Sequence, residues 1–406
     1  MILKILKILI NIPIFYMVKF IPKDIKLSII GASLGEHFSD NSKYFYIYFH
    51  KINKCNYNKL IWITKNKKIV LLLKSYNLPV EYLYSFKGIY TTVKASKVFL
   101  SHQLNDINGP LLAGANIIQL WHGFPLKKIG YKGSWNTDNL IGKIKYFIYN
   151  ITPFNYSMTC NKLIASNSLA KKNFKESFAL SFKNNKAYKN ILILGQPRND
   201  IFEYNYKFDT LLFPEIKILK QYKNKFQYII SWLPTQRVAL NKTIVDIIKE
   251  SKLDLLFLDN FCKINNILFV FKPHFLDINL LQLEINKYKN LIIYEMADPY
   301  PLLKYTDILL TDYSSVYYDF LLTKKPIIFT PFDYDEYLEK VDFYQNYEEM
   351  TPGVKCYKWD DILKNIRFIL EGNDQYKNER KIFLEKHDVK RDSSKLIYDT
   401  FFKVTS

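Results

Sequence analysis

His122 follows a short apolar run and precedes Gly123, Pro125 and the cationic pair Lys127-Lys128. A strand that stops at a histidine and a glycine ahead of basic residues can bind an anion and move a proton, because imidazole changes charge near neutral pH. Similar residue types stand at the ends of other apolar runs. Lys272-Pro273-His274 closes the run at 267–274, where a lysine acts as a point charge for phosphate. Ser314-Ser315 closes the run at 307–315 and opens a helix, whose free backbone N–H groups attract anions. Pro234-Thr235-Gln236-Arg237 and Pro197-Arg198-Asn199-Asp200 each set an arginine just past a run, and a guanidinium grips phosphate in a forked geometry. Each of these has an ordinary explanation by itself: an incidental histidine, a plain capped helix, a solvated loop arginine. Their common position is what points to a phosphate-handling site.

The elements that must position these residues read as short Val/Ile/Leu runs separated by helix-length segments. The first set lies at 27–31, 60–64, 68–73, 97–102, 116–121, 162–167 and 190–195. The second lies at 228–232, 267–274, 291–295, 307–315 and 326–330. Such a pattern predicts parallel sheets covered on both faces, hence an α/β chain in two halves, 25–200 and 201–375, with a helical tail over 376–406. Ligands of open α/β sheets bind beyond the strand C-termini, so a cleft between the halves is expected, lined by the residues above. His102 also ends a strand, without a constellation around it. Asp333-Tyr334-Asp335-Glu336 has a DxD form but no second acidic cluster, and is read as a solvated loop. No GxGxxG, Walker, GxSxG or HExxH pattern is present.

At 406 residues, two domains of ordinary size are the natural expectation, and 49% hydrophobic residues exclude disorder as the main state. Cys55, Cys160, Cys262 and Cys356 lie far apart, which argues against a disulfide framework or a zinc site and fits a reducing cytosol. The formal charge of +20 is spread along the chain, as suits a protein that meets anionic lipid or polyanionic substrates. Nucleic acid is disfavoured as a partner, since no RNP, zinc-finger or basic-zipper pattern appears. Residues 1–24 place Lys4, Lys7 and Asn11 on one helical face amid Ile and Leu, and Pro13 interrupts. That is too broken for a membrane span and predicts an amphipathic membrane-associating segment lying in the plane of an anionic surface. A helix packed on its own domain is the competing reading.

Taken in order, WHGFPLKKIG (121–130), LGQPRND (194–200), LPTQR (233–237), TDYSSVYYDF (311–320) and PIIFTPFDYDEY (326–337) resemble the CDP-glycerol glycerophosphotransferase family of teichoic acid and capsule polymer synthesis. Weaker echoes lie at 31–44, 95–106 and 344–353. The resemblance implies a GT-B-like fold, two Rossmann-type domains facing a cleft, with 25–200 meeting the acceptor and 201–375 the CDP-glycerol donor. It implies His122 as general base and His274 as a second catalytic residue. The Trp121, His122, Gly123, Phe124, Pro125 loop would bind substrate, as would Arg198, Pro234, Thr235, Arg237, Lys272, Pro273, His274, Ser314, Ser315 and Asp319. It implies no metal or cofactor, a polyanionic or lipid-linked glycan acceptor, and a peripheral place on the cytoplasmic face of the cell membrane. Phe124 and Gln236 depart from the family's usual Thr or Ile and Trp, which bears on donor and acceptor preference. A CDP-ribitol transferase and a nucleotide-sugar glycosyltransferase are the enzyme alternatives, and a basic peripheral membrane protein the non-enzyme one.

Overall fold

The computed structural model describes residues 2–53, 57–130, 152, 154, 160–178, 190–202, 213–273, 277–389 and 391–403, with side chains from Leu9 onward except Leu280. The chain divides into two compact units. Met1–His122, Ile129–Asp200 and Val389–Ser406 form the first; Gly123–Lys128 and Ile201–Asp388 form the second.

The first unit holds a seven-stranded sheet of β1 (Asp24–Gly31), β2 (Lys59–Thr64), β3 (Val80–Tyr82), β4 (Ala95–Leu100), β5 (Asn116–Gln119), β6 (Lys162–Ala165) and β7 (Ile191–Ile193), in the order 3-2-1-4-5-6-7. Every pairing in it is parallel. The second unit repeats the plan with β8 (Tyr228–Leu233), β9 (Ile267–Phe271), β10 (Leu291–Ile293), β11 (Ile308–Thr311), β12 (Ile327–Phe329) and β13 (Val354–Lys355), in the order 10-9-8-11-12-13 and again parallel. β9 is buried at all five positions, which is why it reads as an unbroken apolar run. In each sheet the order reverses beside the first strand, between β1 and β4 and between β8 and β11. Those reversals are the topological switch points, where chain segments diverge and leave room for a ligand.

One expected strand is a helix. Residues 68–73 lie in Lys67–Ser75, whose cap is Asn66, accepting from the Lys68 N–H. Ile69 and Leu73 point inward four residues apart while Leu71 is exposed, a helical and not a pleated pattern. The N-terminal helix, Ile2–Lys19, runs through Pro13 instead of breaking there. Its inner side sets Phe15 against Phe154, with ring centroids 5.2 Å apart, and buries Val18; its outer side exposes Leu9, Ile10, Tyr16 and Met17. No helix among the described residues is long and apolar enough to cross a membrane.

The helical tail is shared between the units. Lys377–His387 stays with the second, where Phe383 meets Tyr318 at 5.7 Å. Ser393–Phe401 belongs to the first, and Phe402 behind it stacks on Phe99 at 5.6 Å and meets Phe49 at 4.9 Å. Asp200 receives that helix: the Ser393 and Ser394 N–H groups each donate to its carboxylate at 2.9 Å.

Candidate active site

In the first unit the switch point gathers the loop after β1, the start of the helix Asp40–Ile52 and the residues after β4 and β5. Gly31 lets the turn at 104–107 close on the end of β1, for a Cβ there would lie 2.8 Å from Ile107 Cγ1. That turn carries Asp106, whose buried carboxylate accepts from the backbone N–H groups of Leu34 (2.9 Å), His102 (2.7 Å) and Gln103 (3.3 Å). Burial raises the Asp106 carboxyl to about 6, and those three donors oppose the rise.

His122 is held at several points. Its Nδ1 lies 3.0 Å from the Ser101 carbonyl. A carbonyl only accepts, so Nδ1 carries the proton and Nε2 keeps its lone pair. The ring stacks on His102 at 4.6 Å and on Trp121 at 4.7 Å. Desolvation by surrounding protein, reinforced by His102, lowers the His122 pKa to about 4, although the residue is exposed. The chemical consequence is its direction: a neutral, accessible imidazole at pH 7. Trp121 before it has φ +63°, a left-handed conformation that costs a non-glycine residue about 1–2 kcal/mol. Buried Asn41 holds that turn, donating to the carbonyls of Leu120 (3.2 Å) and Trp121 (2.7 Å), and Gln119 Oε1 accepts from the Trp121 N–H at 3.2 Å.

Arg198 belongs to this cluster. Its Nη1 donates to Asp40 at 2.9 Å and its backbone N–H to Asn41 Oδ1 at 3.1 Å. Burial alone would raise the Asp40 carboxyl, but Arg198, then His102 and His122, hold it below the usual carboxylate range. Trp121 itself is core, edge-on to Phe174 and Phe178 at 4.9 and 5.6 Å.

In the second unit the predicted residues separate into exposed and committed groups. Arg237 is fully buried and spends its guanidinium on protein: Nε to Asp333 at 2.7 Å, Nη2 to Asp312 at 2.8 Å and Nη1 to the Thr235 carbonyl at 2.6 Å. Burial would lower its pKa, yet Asp312 and Asp333 hold it charged. It is a structural cation here, and Asp333, expected in a solvated loop, is its buried counter-ion because the chain after β12 folds back over β8. Asp319 is likewise buried, accepting from the Tyr300 hydroxyl at 2.6 Å. Phe124 stacks on Tyr318 at 4.0 Å, and the chain that follows pairs with 342–344 through Lys128 N–H to the Asp342 carbonyl and Tyr344 N–H to Leu126. Lys127 then lies 5.2 Å from the Tyr337 ring. Burial takes its pKa to about 8 against the pull of Asp312.

Thr235, Lys272, Ser314 and Ser315 are half-buried. The Thr235 N–H donates to Asp312 at 2.8 Å, while its buried hydroxyl has no partner among the described residues. Burial lowers Lys272 to about 8 despite Asp298, leaving it cationic at neutral pH. Of the two serines expected to cap the short helix Val316–Phe320, Ser315 holds the N-cap position without a side-chain bond, and Ser314 Oγ accepts from the Val316 N–H at 3.3 Å. Gly123, Pro125 and Pro273 are buried and Pro234 half-buried. His274 lies outside the described residues. A recess lined by Phe332, Asp333, Tyr357 and Trp359 contains none of the sequence-predicted site residues. Among the described residues, no group of three or more His, Cys, Asp or Glu side chains is placed to hold a metal.

Asp40, Asn41, His102 and Asp106 were not among the sequence-predicted site residues. Their one signal was position, since they follow β1 and β4 on either side of the switch point.

Each unit by itself carries chemistry that an α/β transferase can use: a neutral imidazole at the switch point of the first sheet can accept a proton, and a lysine with hydroxyls at strand ends of the second can hold an anion. The chain belongs to the CDP-glycerol:poly(glycerophosphate) glycerophosphotransferase family, which matches residues 14–403. It is 28% identical over 387 residues to a teichoic acid poly(glycerol phosphate) polymerase of Bacillus spizizenii, covering 90% of this chain and 87% of that one. It is 30% identical over 205 residues to the teichoic acid ribitol-phosphate polymerase TarL of Staphylococcus aureus, covering 49% of this chain and only 34% of the relative. The fold is that of the wall teichoic acid polymerase TagF, with a TM-score of 0.73 at 23% identity over 97% of this chain and 93% of that one.

Proposed function

We propose that this chain transfers glycerol phosphate from CDP-glycerol to a hydroxyl of a membrane-linked or polymeric acceptor in teichoic acid or capsule synthesis. The acceptor oxygen forms a bond to the glycerol-side phosphorus, the pyrophosphate bridge breaks, and its electron pair leaves with CMP. The observation that carries this reading is the His122 tautomer: with Nδ1–H given to Ser101, Nε2 is free to take the hydroxyl proton as the new bond forms. Nearby Asp40 is the counter-ion for the imidazolium that results. Lys272, the Thr235 hydroxyl and the Ser314-Ser315 turn would hold the donor's phosphates. Transfer of this kind depends on positioning and positive charge more than on covalent help. Arg198 serves through Asp40, and Arg237 and Asp319 through the packing of the second unit.

The similarity to a ribitol-phosphate polymerase favours one second reading, a CDP-ribitol donor. CMP release should be measured with CDP-glycerol and CDP-ribitol, each with a glycerol-phosphate oligomer as acceptor, for the wild type and His122→Ala. The expected result is turnover of CDP-glycerol by the wild type and a loss of about 10²–10⁴-fold in the variant. Full activity of His122→Ala would remove the base from the mechanism.

The same proposal places the protein peripherally on the cytoplasmic face of the membrane. The exposed Leu9, Ile10, Met17 and Phe20 would enter the lipid boundary, and the net positive charge would face anionic headgroups.

A further inference from the structure

We propose that His102 is a positioning residue for His122, and that the two stacked rings carry a single proton between them during transfer. This rests on His122 being the base. The Ser33 N–H donates to His102 Nδ1 at 3.3 Å. Nδ1 is therefore an acceptor, and the proton of neutral His102 sits on Nε2, 3.5 Å from Asp40. His102 is thus oriented edgewise by Asp40 and the loop after β1, and it presents the face of its ring to His122 at 4.6 Å with 16° between planes.

Among the described residues one hydrogen bond, to Ser101, fixes the His122 tautomer, and it does not by itself stop the ring turning about that contact. The stacked His102 ring, together with Trp121, removes that freedom. The charged groups around the pair are Asp40 from the helix Asp40–Ile52, Asp106 from the turn after β4, and Arg198 after β7. Arg198 already engages Asp40, and the buried Asp106 carboxyl, raised to about 6, is taken up by three backbone N–H groups, so the surroundings do not offset two imidazolium rings. Two cations at this separation repel strongly, so the pair titrates as a unit. When His122 takes the acceptor's proton, His102 stays neutral and Asp40 faces the only new charge.

The test uses the full chain and CDP-glycerol with a glycerol-phosphate oligomer, comparing His102→Phe, His102→Ala and His122→Asn across pH. His102→Ala removes ring and charge, and is expected to lower kcat about ten- to a hundredfold through misorientation, with the donor KM changed by less than about twofold. His102→Phe restores a ring face without a proton, so it should lose less kcat than His102→Ala. Its acid limb of kcat/KM should move up by the part of the depression that His102 causes, while desolvation by the surrounding protein remains. A role in packing alone would not move that limb. An acid limb in His102→Phe unchanged from the wild type, or a kcat in His102→Ala within about twofold of it, would overturn the proposal. Persistent activity in His122→Asn would instead overturn the assignment of the base, so the two failures are told apart.

Discussion

Arg237 and Lys272 both follow apolar strands of the second sheet, yet burial gives them different work. Arg237 is enclosed with Asp312 and Asp333 and stacked 4.8 Å from Tyr313, whereas the Lys272 amine makes a long 3.5 Å contact with the Pro273 carbonyl and lies in the field of Asp298. Replacing Arg237 by Met should therefore cost stability before it costs chemistry. Two carboxylates would be left without their cation in the interior, at a penalty of about 3–5 kcal/mol, read as a lower urea midpoint for the second unit. Arg237→Lys should lose less, retaining charge but not the fork. At this scale the sequence marked strand-end histidines, arginines and serines but could not sort reactive from structural ones. Asp40 and Arg198 are 158 positions apart, so His102, visible at the end of its strand, had no legible partners.

Most strands were legible because parallel strands buried on both faces are uniformly apolar, as in β9. The same uniformity misled at 68–73, where Lys-Ile-Val-Leu-Leu-Leu is apolar enough for either element and the Asn66 cap decides for a helix. Short strands such as β3 and β13 draw their stability from neighbours and leave little signal of their own. The C-terminal helix shows an element fixed by a distant residue. Asp200, in the loop after β7, caps Ser393–Phe401, and Phe402 then anchors it on Phe45, Phe49 and Phe99. Asp200→Ala should destabilise that helix by about 1–2 kcal/mol, as loss of an N-cap does, and expose the chain near Val389 to limited proteolysis. Burial raises the Asp200 carboxyl to about 6, above its unfolded value. Its ionisation therefore opposes folding as pH rises through the window from about 4 to 6. Asp200→Asn, which keeps one acceptor and sheds that burden, should lose less than Asp200→Ala. Equal losses would mean the charge is what holds the helix.

For the whole molecule, two repeats of the same strand order explain why the sequence reads as two halves that meet near residue 200. The six-residue excursion of Gly123–Lys128 into the second unit, and the return of the last helix to the first, depend on contacts that no local pattern encodes. Net charge acts at this scale as well. On the proposed peripheral placement, a charge of +20 would draw the protein to an anionic bilayer with about 1 kcal/mol for each lysine close to the surface. That attraction is screened as the Debye length shrinks from about 10 Å at 0.1 M salt to about 3 Å at 1 M. Apolar insertion at Leu9, Ile10, Met17 and Phe20 would not be screened. Flotation with phosphatidylglycerol–phosphatidylcholine vesicles should therefore weaken with salt but persist at about 1 M. The double variant Met17→Asp, Phe20→Asp should lose the salt-resistant fraction and keep the salt-sensitive one, since it changes exposed apolar residues at the end of the N-terminal helix and just after it but leaves the lysines in place. If the double variant floats as the wild type does at high salt, some other surface enters the bilayer and the N-terminal helix is only part of the domain's coat.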